Sequence, residues 1–225
     1  SQSVDVANPK LWSVDAPNLY WVRTEIIQNG KVVDRTDSRF GIRYIATNPN
    51  SGFYLNGVHT KLNGVCEHSD LGSLGMETYQ AAVDRRIRTL KKYGVNAIRT
   101  SHNPVSPEFI EACDRLGMLV FEEAFDQWLY SKNSDDYHNY FNKAADGKTV
   151  VFDKAGNDNT NNDTSYIEVK REDLQSNAER DIKAMVDRDK NAPCIFAWST
   201  GNEIYDARYK HGENTLDMLT GWIKE

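Results

Sequence analysis

The chain has 225 residues, 39% of them hydrophobic and 27% charged, with a formal net charge of -6 and a pI near 5.4. This balance is typical of a globular protein and argues against a nucleic-acid partner, because no basic stripe is present to neutralise phosphates. No run approaches the ~18 apolar residues that would span a bilayer, which argues against a membrane partner. A periplasmic or secreted location and a cytoplasmic one are both compatible with the sequence.

The first 47 residues predict β structure. Leu19 to Ile27 predicts an extended run whose alternate residues lie on opposite faces, Asn29-Gly30 marks a two-residue hairpin turn, and a return strand begins at Lys31. Two or three strands are marginal in water, so we expect them to end a β-sandwich whose earlier strands lie outside this sequence. Residues 53–55 and 58–60, joined by an Asn-Gly turn, predict a second hairpin.

From residue 61 onward, predicted strands and helices alternate. Strands are predicted over residues 61–66, 95–100, 118–123 and 194–199, and helices over residues 77–93, 107–116, 167–189 and 215–224. In the first helix the predicted buried stripe is Tyr79, Val83, Ile87 and Leu90. Glycines 94 and 117 follow two of the helices, where a C-terminal glycine is favoured.

This α/β order implies a parallel sheet with right-handed crossovers. Four β-α units are the N-terminal half of a (β/α)8 TIM barrel. A flavodoxin-like open sheet is the structural rival, but no glycine-rich phosphate loop follows the first strand, which favours the barrel.

Two features of the chain carry smaller predictions. A polar stretch of roughly forty residues precedes the third helix and includes an Asn/Asp-rich loop at 153–165, which predicts a functional lid or a disordered insertion. Its lack of EF-hand glycine and spacing argues against a calcium loop. Cys66, Cys113 and Cys194 each lie in apolar stretches and are predicted to be buried free thiols.

Polar clusters follow the four predicted strands, where functional groups of such barrels gather. They are Glu67-His68, Ser101-His102-Asn103, Glu122-Glu123 and Asn202-Glu203. Carboxylates with neutral hydrogen-bonding partners suit glycosidic bond cleavage, in which one carboxyl protonates the leaving oxygen. We expect partial burial or a nearby negative charge around that acid. A metal bound by His68, His102 and an acid is the alternative, although no H-E-x-x-H or G-x-S-x-G motif is present.

Four ordered segments carry a family resemblance: residues 61–68, 96–104, 121–128 and 197–203. Together they closely resemble glycoside hydrolase family 2, and within it the β-galactosidases. Residues 9–20 and 40–43 look like the end of that family's immunoglobulin-like domain. The resemblance implies two domains, an immunoglobulin-like β-sandwich ending at residue 47 (1–47) and the first half of the catalytic barrel (48–225).

The resemblance also implies roles for individual residues. Glu203 matches the general acid/base, and Asn202 matches the asparagine that binds the sugar 2-hydroxyl. His68 and His102 match histidines lining the sugar subsite. Arg99 and Glu123 match supporting residues buried beneath it. No cofactor is implied, because the glutamate-x-histidine of metal-binding β-galactosidases is replaced here by Asp126-Gln127-Trp128.

The family's nucleophile is a glutamate near the end of the seventh strand, beyond the four units of this sequence. A retaining mechanism needs two carboxyls about 5 Å apart. We therefore expect a fragment of an enzyme acting on an oligosaccharide or glycoside, inactive alone. β-Glucuronidase and β-mannosidase are alternatives within the family. A further alternative, outside the family, is a non-catalytic half barrel that binds sugar and forms homo-oligomers, since half a barrel exposes two strand edges.

Overall fold

The computed structural model describes residues 3–128, 132, 176–208 and 210–225. They form nine β-strands, four α-helices and two short 3-10 turns at Gly72–Leu74 and Tyr205–Arg208. The chain divides into two compact units. The first comprises residues 1–100, 105–121 and 189–197, and the second comprises residues 101–104, 122–188 and 198–225.

The first unit begins with the predicted hairpin, formed by β1 (Tyr20–Gln28) and β2 (Lys31–Phe40). Asn29 and Gly30 have φ values of 53° and 73°, as a two-residue turn between twisted strands requires. Almost every residue of the hairpin is exposed, including Trp21 at 66%. The strands are therefore held by their own ladder and by cross-strand pairs such as Arg23–Asp37, at 2.8 Å.

A three-stranded antiparallel sheet follows, made of β3 (Ile45–Asn48), β4 (Gly52–Leu55) and β5 (Val58–His59). The hairpin of β4 and β5 was predicted from its Asn-Gly turn; β3 was not predicted as a separate strand. Asn56 of the β4–β5 turn also donates a hydrogen bond to the carbonyl of Trp12, at 2.9 Å. Trp12 is fully buried, and its indole donates to the carbonyl of Asp114 at 2.8 Å.

The predicted parallel strands are β6 (Gly64–His68), β7 (Ala97–Ser101), β8 (Leu119–Glu123) and β9 (Ile195–Ser199). They lie in one sheet in chain order, and β7 pairs with β8 in parallel, with Ala97 opposite Leu119. Each strand begins one to three residues later than predicted. Strand order that follows chain order, with a helix in each crossover, is the pattern of a barrel sheet.

The helices are α1 (Gln80–Lys92), α2 (Pro107–Leu116), α3 (Asn177–Asp189) and α4 (Lys210–Lys224). Ser106 caps α2 by accepting a hydrogen bond from the Phe109 amide, and Gly117 ends it in the left-handed conformation. The prediction that Tyr79 lies on the buried stripe of α1 is wrong. Tyr79 precedes the first helical residue in extended backbone and is 53% exposed.

Some predictions fall outside the described residues. These are the Asn/Asp-rich loop 153–165 and the first part of the third predicted helix, residues 167–175. Within the described part, α3 begins at Asn177 and α4 begins five residues before its predicted start.

Each unit has its own apolar core. In the first, the fully buried side chains include Ile87, Ile98, Met118, Leu119 and Val120. In the second, one cluster joins the segment after β8 to helices α3 and α4; its buried members are Ala124, Phe125, Trp128, Ala178, Ile182, Met185 and Leu219. Burial of these side chains is the main favourable contribution to the stability of each unit.

The cysteine predictions have mixed outcomes. Cys113 and Cys194 are buried free thiols, as predicted, but Cys66 is exposed. Cys66 lies on β6, which has β7 as its neighbour within the described residues. Among the described helices, none is both long and apolar enough to cross a membrane.

Candidate active site

The carboxyl ends of β7, β8 and β9 lead into the second unit, and four of the predicted site residues lie there. They are His102 after β7, Glu123 at the end of β8, and Asn202 and Glu203 after β9. His68 and Arg99 belong to the first unit.

In the second unit, the carboxylate of Glu123 forms hydrogen bonds with two residues. Its side chain is completely buried, and Oε1 lies 2.6 Å from Nδ1 of His102. The hydroxyl of Ser199 donates to the other oxygen, Oε2, at 2.7 Å. A carboxylate beside Nδ1 places a proton on that nitrogen and directs the imidazole, leaving Nε2 for other partners. This arrangement suits a supporting role for Glu123 and a binding role for His102.

Hydrogen bonds to backbone carbonyls join the segment after β8 to the end of β9 and the residues that follow it. The amide of Ala124 donates to the Ser199 carbonyl at 2.9 Å, and that of Asn202 donates to the Phe125 carbonyl at 3.1 Å. The Trp128 indole donates to the carbonyl of Thr200 at 2.7 Å. These contacts fix the backbone immediately before Glu203.

Gly201 lies within this junction, at a close approach. A Cβ atom added there would lie 2.8 Å from Nε1 of Trp128 and 2.5 Å from Cδ1 of Ile204. Real Cβ atoms do not approach heavy atoms so closely, and the indole is held by its hydrogen bond to Thr200. Glycine is thus required next to Asn202 by packing.

Asn202 and Glu203 are linked through Asp126 and Lys132. Asn202 is buried, and its amide nitrogen donates to Oδ1 of Asp126 at 2.9 Å. Nζ of Lys132 lies 2.7 Å from the same Oδ1 and 3.5 Å from Oε2 of Glu203. One ammonium group therefore joins two carboxylates.

The environment of Asp126 favours its ionised form. Partial burial raises the pKa of its carboxyl, but hydrogen bonds from Lys132 and Asn202, with the positive potential of Lys132 and His102, outweigh that effect. The net result is a pKa below the usual value for aspartate. The Asp126 carboxylate and the Lys132 ammonium therefore form a charged pair next to Glu203.

Glu203 itself has an unusual backbone. Its φ of 46° lies in the left-handed region, which costs a non-glycine residue roughly 1–2 kcal/mol. Its side chain is 77% exposed, so the described residues do not provide the partial burial that the sequence analysis expects around the general acid. Strained backbone of this kind persists where neighbouring contacts hold it, and it clusters at active sites.

The preceding residue of β8, Glu122, has a different environment from that of Glu123. It is completely buried, and Oε1 lies 3.1 Å from Nη2 of Arg188 on α3. Successive residues of a strand face opposite sides, so Glu122 points away from the side on which Glu123 contacts His102. Neither carboxylate is accessible to a substrate in the described residues.

In the first unit, Glu67 pairs with Arg86 of α1 at 2.9 Å. Glu67, His68 and Arg86 line a small cavity of about 30 Å³ together with Phe109 and neighbouring residues. Arg99 is only partly buried, and its Nη1 lies 3.9 Å from the sulfur of Cys66. The supporting role expected for Arg99 stays a prediction.

The sequence analysis did not assign roles to Ser199, Asp126 or Lys132. Ser199 ends β9 and Asp126 follows β8, so the rule that selected the four clusters could have found both. Lys132 has no such signal, because it lies nine residues beyond the end of β8 in a polar stretch.

The described residues offer a poor metal site. In that part of the chain, three or more His, Cys, Asp or Glu side chains nowhere converge as a metal would require. Trp128, at the position of the family's metal-binding histidine, is buried and its indole is a donor to Thr200. An ammonium group already lies between Asp126 and Glu203.

A barrel sheet with carboxylates, a histidine and an asparagine at its strand ends is the arrangement of a glycoside hydrolase of the barrel type. Comparison with family models agrees. The model "Glycosyl hydrolases family 2, TIM barrel domain" matches residues 48–225, and "Glycosyl hydrolases family 2" matches residues 1–43. The chain belongs to glycosyl hydrolases family 2.

Individual relatives support this assignment. The chain is 37% identical over 218 residues to beta-galactosidase BoGH2A of Bacteroides ovatus, covering 97% of this chain and 22% of the relative. It is 32% identical over 119 residues to a beta-glucuronidase of Bacteroides fragilis, covering 52% of this chain and 17% of the relative. A family 2 crystal structure from Bacteroides cellulosilyticus has 38% identity and a TM-score of 0.80, covering 97% of this chain and 24% of that one. The chain thus spans about a fifth of the length of these relatives.

Proposed function

We propose that this chain supplies the acid/base part of the active site of a retaining β-glycosidase, with Glu203 as the general acid/base. The observation that carries the proposal is the position of Glu203. Its exposed carboxyl follows β9 on left-handed backbone, with Asn202 held by Asp126 beside it. An exposed carboxyl on a fixed backbone can reach a glycosidic oxygen.

In the first step, the protonated Glu203 gives its proton to the glycosidic oxygen as the bond to the anomeric carbon breaks and a carboxylate nucleophile attacks that carbon. In the second step, the Glu203 carboxylate removes a proton from water, which attacks the same carbon and releases the nucleophile. Two inversions at one carbon retain its configuration. Asn202 and His102 supply hydrogen bonds to sugar hydroxyls.

The nucleophile is not assigned to a described residue. Glu122 and Glu123 are buried and engaged by Arg188 and by His102 with Ser199. The family resemblance assigns the nucleophile to a later barrel strand. We therefore propose that these 225 residues alone do not turn over nitrophenyl β-galactoside; measurable turnover by the purified fragment would contradict this.

We propose a β-galactoside as the substrate of the whole protein. BoGH2A, which matches nearly the whole chain, is a beta-galactosidase by name. A β-glucuronide is the second candidate, since the Bacteroides fragilis relative is a beta-glucuronidase. Comparing kcat/KM of the intact protein on nitrophenyl β-galactoside, β-glucuronide and β-mannoside tests the choice. A preference of about tenfold or more for a sugar other than galactose would overturn it.

The role of Glu203 is tested by Glu203→Gln in the intact protein, with a series of aryl β-glycosides. Poor leaving groups need protonation, so we expect their kcat/KM to fall by about 10²–10⁴-fold. Activated aryl groups leave without a proton, so their glycosylation step is expected to change much less. The matched control is Glu213→Gln, an exposed glutamate of α4 outside the site. Equal losses on all leaving groups would refute the assignment.

A further inference from the structure

The position of Lys132 is not explained by the general-acid role alone. Its ammonium lies 2.7 Å from Asp126 and 3.5 Å from Glu203, while its side chain is only 15% exposed. Its backbone amide also donates to Oε1 of Gln127 at 2.8 Å, which ties the residue to the segment after β8. A largely buried lysine with two carboxylate partners is a fixed positive charge.

Two carboxylates on one side of a site repel each other unless a cation lies between them. A divalent metal could play this part, but it would need further ligands. Trp128 cannot ligate, and Asn202 already donates its amide hydrogen to Asp126. The donor set around Asp126 and Glu203 therefore fits an ammonium group better than a metal ion.

We infer that Lys132 is a positioning residue for the acid/base, and that its ammonium takes the place of a divalent cation between Asp126 and Glu203. This inference rests on the proposed function, and it means that the positive charge of the site is supplied by a side chain of the protein. The Glu203 side chain is otherwise exposed, so the ion pair restricts the directions in which its carboxyl points.

The first experiment tests metal independence in the intact protein. We expect metal analysis to find far less than one equivalent of divalent cation, and dialysis against EDTA to leave kcat/KM unchanged. Addition of Mg²⁺ is expected to give no increase. Loss of activity with EDTA that Mg²⁺ restores, or a stoichiometric metal in the purified protein, would overturn the inference.

The second experiment uses Lys132→Met and Lys132→Arg. For Lys132→Met we expect kcat on poor leaving groups to fall by about tenfold or more, with a smaller change in KM, because the acid is no longer held in place. Lys132→Arg keeps the charge and is expected to recover most of that loss. The matched control is Lys183→Met, which removes another lysine of the second unit whose ammonium bonds Glu179 at 2.7 Å. Native activity for Lys132→Met would refute the role.

A double-mutant cycle separates this role from a structural one. If Lys132 acts through Glu203, Lys132→Met has little further effect once Glu203→Gln is present, and the two changes are not additive. Full additivity would show that Lys132 acts elsewhere. If Glu203→Gln alone has no effect, the proposed function fails. If Glu203→Gln is impaired and Lys132→Met is not, only the inference about Lys132 fails.

Discussion

Nδ1 of His102 lies 2.6 Å from Oε1 of Glu123, a carboxylate that is completely buried at the end of β8. The second oxygen of that carboxylate accepts a hydrogen bond from Ser199 at the end of β9. Because both oxygens are engaged, the carboxylate is fixed between two neighbouring strands. The imidazole that it holds is therefore oriented by the sheet and not by its own loop.

Glu123→Gln is expected to weaken substrate binding. An amide cannot offer His102 an anionic partner, so the ring loses the interaction that orients it. We expect KM to rise by about tenfold, with a smaller change in kcat, because the acid/base itself is untouched. Steady-state kinetics of the intact protein measures both constants.

The matched control for Glu123→Gln is Ser199→Ala, which removes one hydrogen bond to Glu123 and leaves the His102–Glu123 pair in place. Its effect on KM is expected to be smaller than that of Glu123→Gln. A fall in kcat alone for Glu123→Gln, or a larger rise in KM for Ser199→Ala, would argue against a binding role for His102.

Substitution by alanine is expected to lower the free energy of unfolding by different amounts at two glycines of the first unit. Gly94 has a φ of 83° with open space around its Cβ direction, whereas Gly117 has a φ of 76° and its Cβ would lie 2.3 Å from the Val14 carbonyl oxygen. We expect Gly94→Ala to lower the free energy of unfolding by about 1 kcal/mol and Gly117→Ala by about 3 kcal/mol. Urea unfolding of both variants measures the difference. Equal costs would show that backbone conformation alone matters.

Asp84 predicts a pH-dependent contribution to stability. The hydrogen bond from Arg115 of α2 lowers the pKa of this carboxyl, against an opposing effect of burial and with support from Gln80. A carboxyl whose pKa is lower in the folded state stabilises the fold above its unfolded value of about 3.9, and this contribution is lost as the pH falls through the folded value. Asp84→Asn should therefore lower the melting midpoint at pH 7.

The difference between native protein and Asp84→Asn should shrink as the pH falls from about 4 toward 2. Asp37→Asn is the control, since Asp37 also has a lowered pKa beside Arg23, but on the exposed hairpin where solvent screens the pair. Its effect at pH 7 should be smaller. If the difference in melting midpoint between the native protein and Asp84→Asn persisted unchanged at pH 2, packing between α1 and α2 would be its cause, and not the charge of Asp84.

Local patterns predicted most of the fold. The Asn-Gly turns require positive φ at both residues, and Gly117 marks the end of the apolar stripe of α2. Predictions were wrong where burial depends on a distant neighbour. Cys66 and Tyr79 look like core residues in sequence, but Cys66 lies on the first of the four parallel strands that the structure describes, and Tyr79 precedes its helix.

The site was predictable to the extent that it lies at strand ends. His102, Glu123, Asn202 and Glu203 were selected in this way, although their roles came from a family resemblance. Lys132 could not be found, because nothing in the residues around it in sequence indicates contact with Asp126 and Glu203. The left-handed backbone of Glu203 was equally hidden, since side-chain type does not reveal it.

The most direct measurement of the role of Glu203 is azide rescue of Glu203→Ala in the intact protein, with an activated aryl β-glycoside. Without its base the variant should accumulate the glycosylated nucleophile, and azide should restore turnover because it attacks without losing a proton. We predict a glycosyl azide of the same anomeric configuration as the substrate. A product of inverted configuration would identify Glu203 as the nucleophile, and native turnover without azide would show that it has no catalytic role.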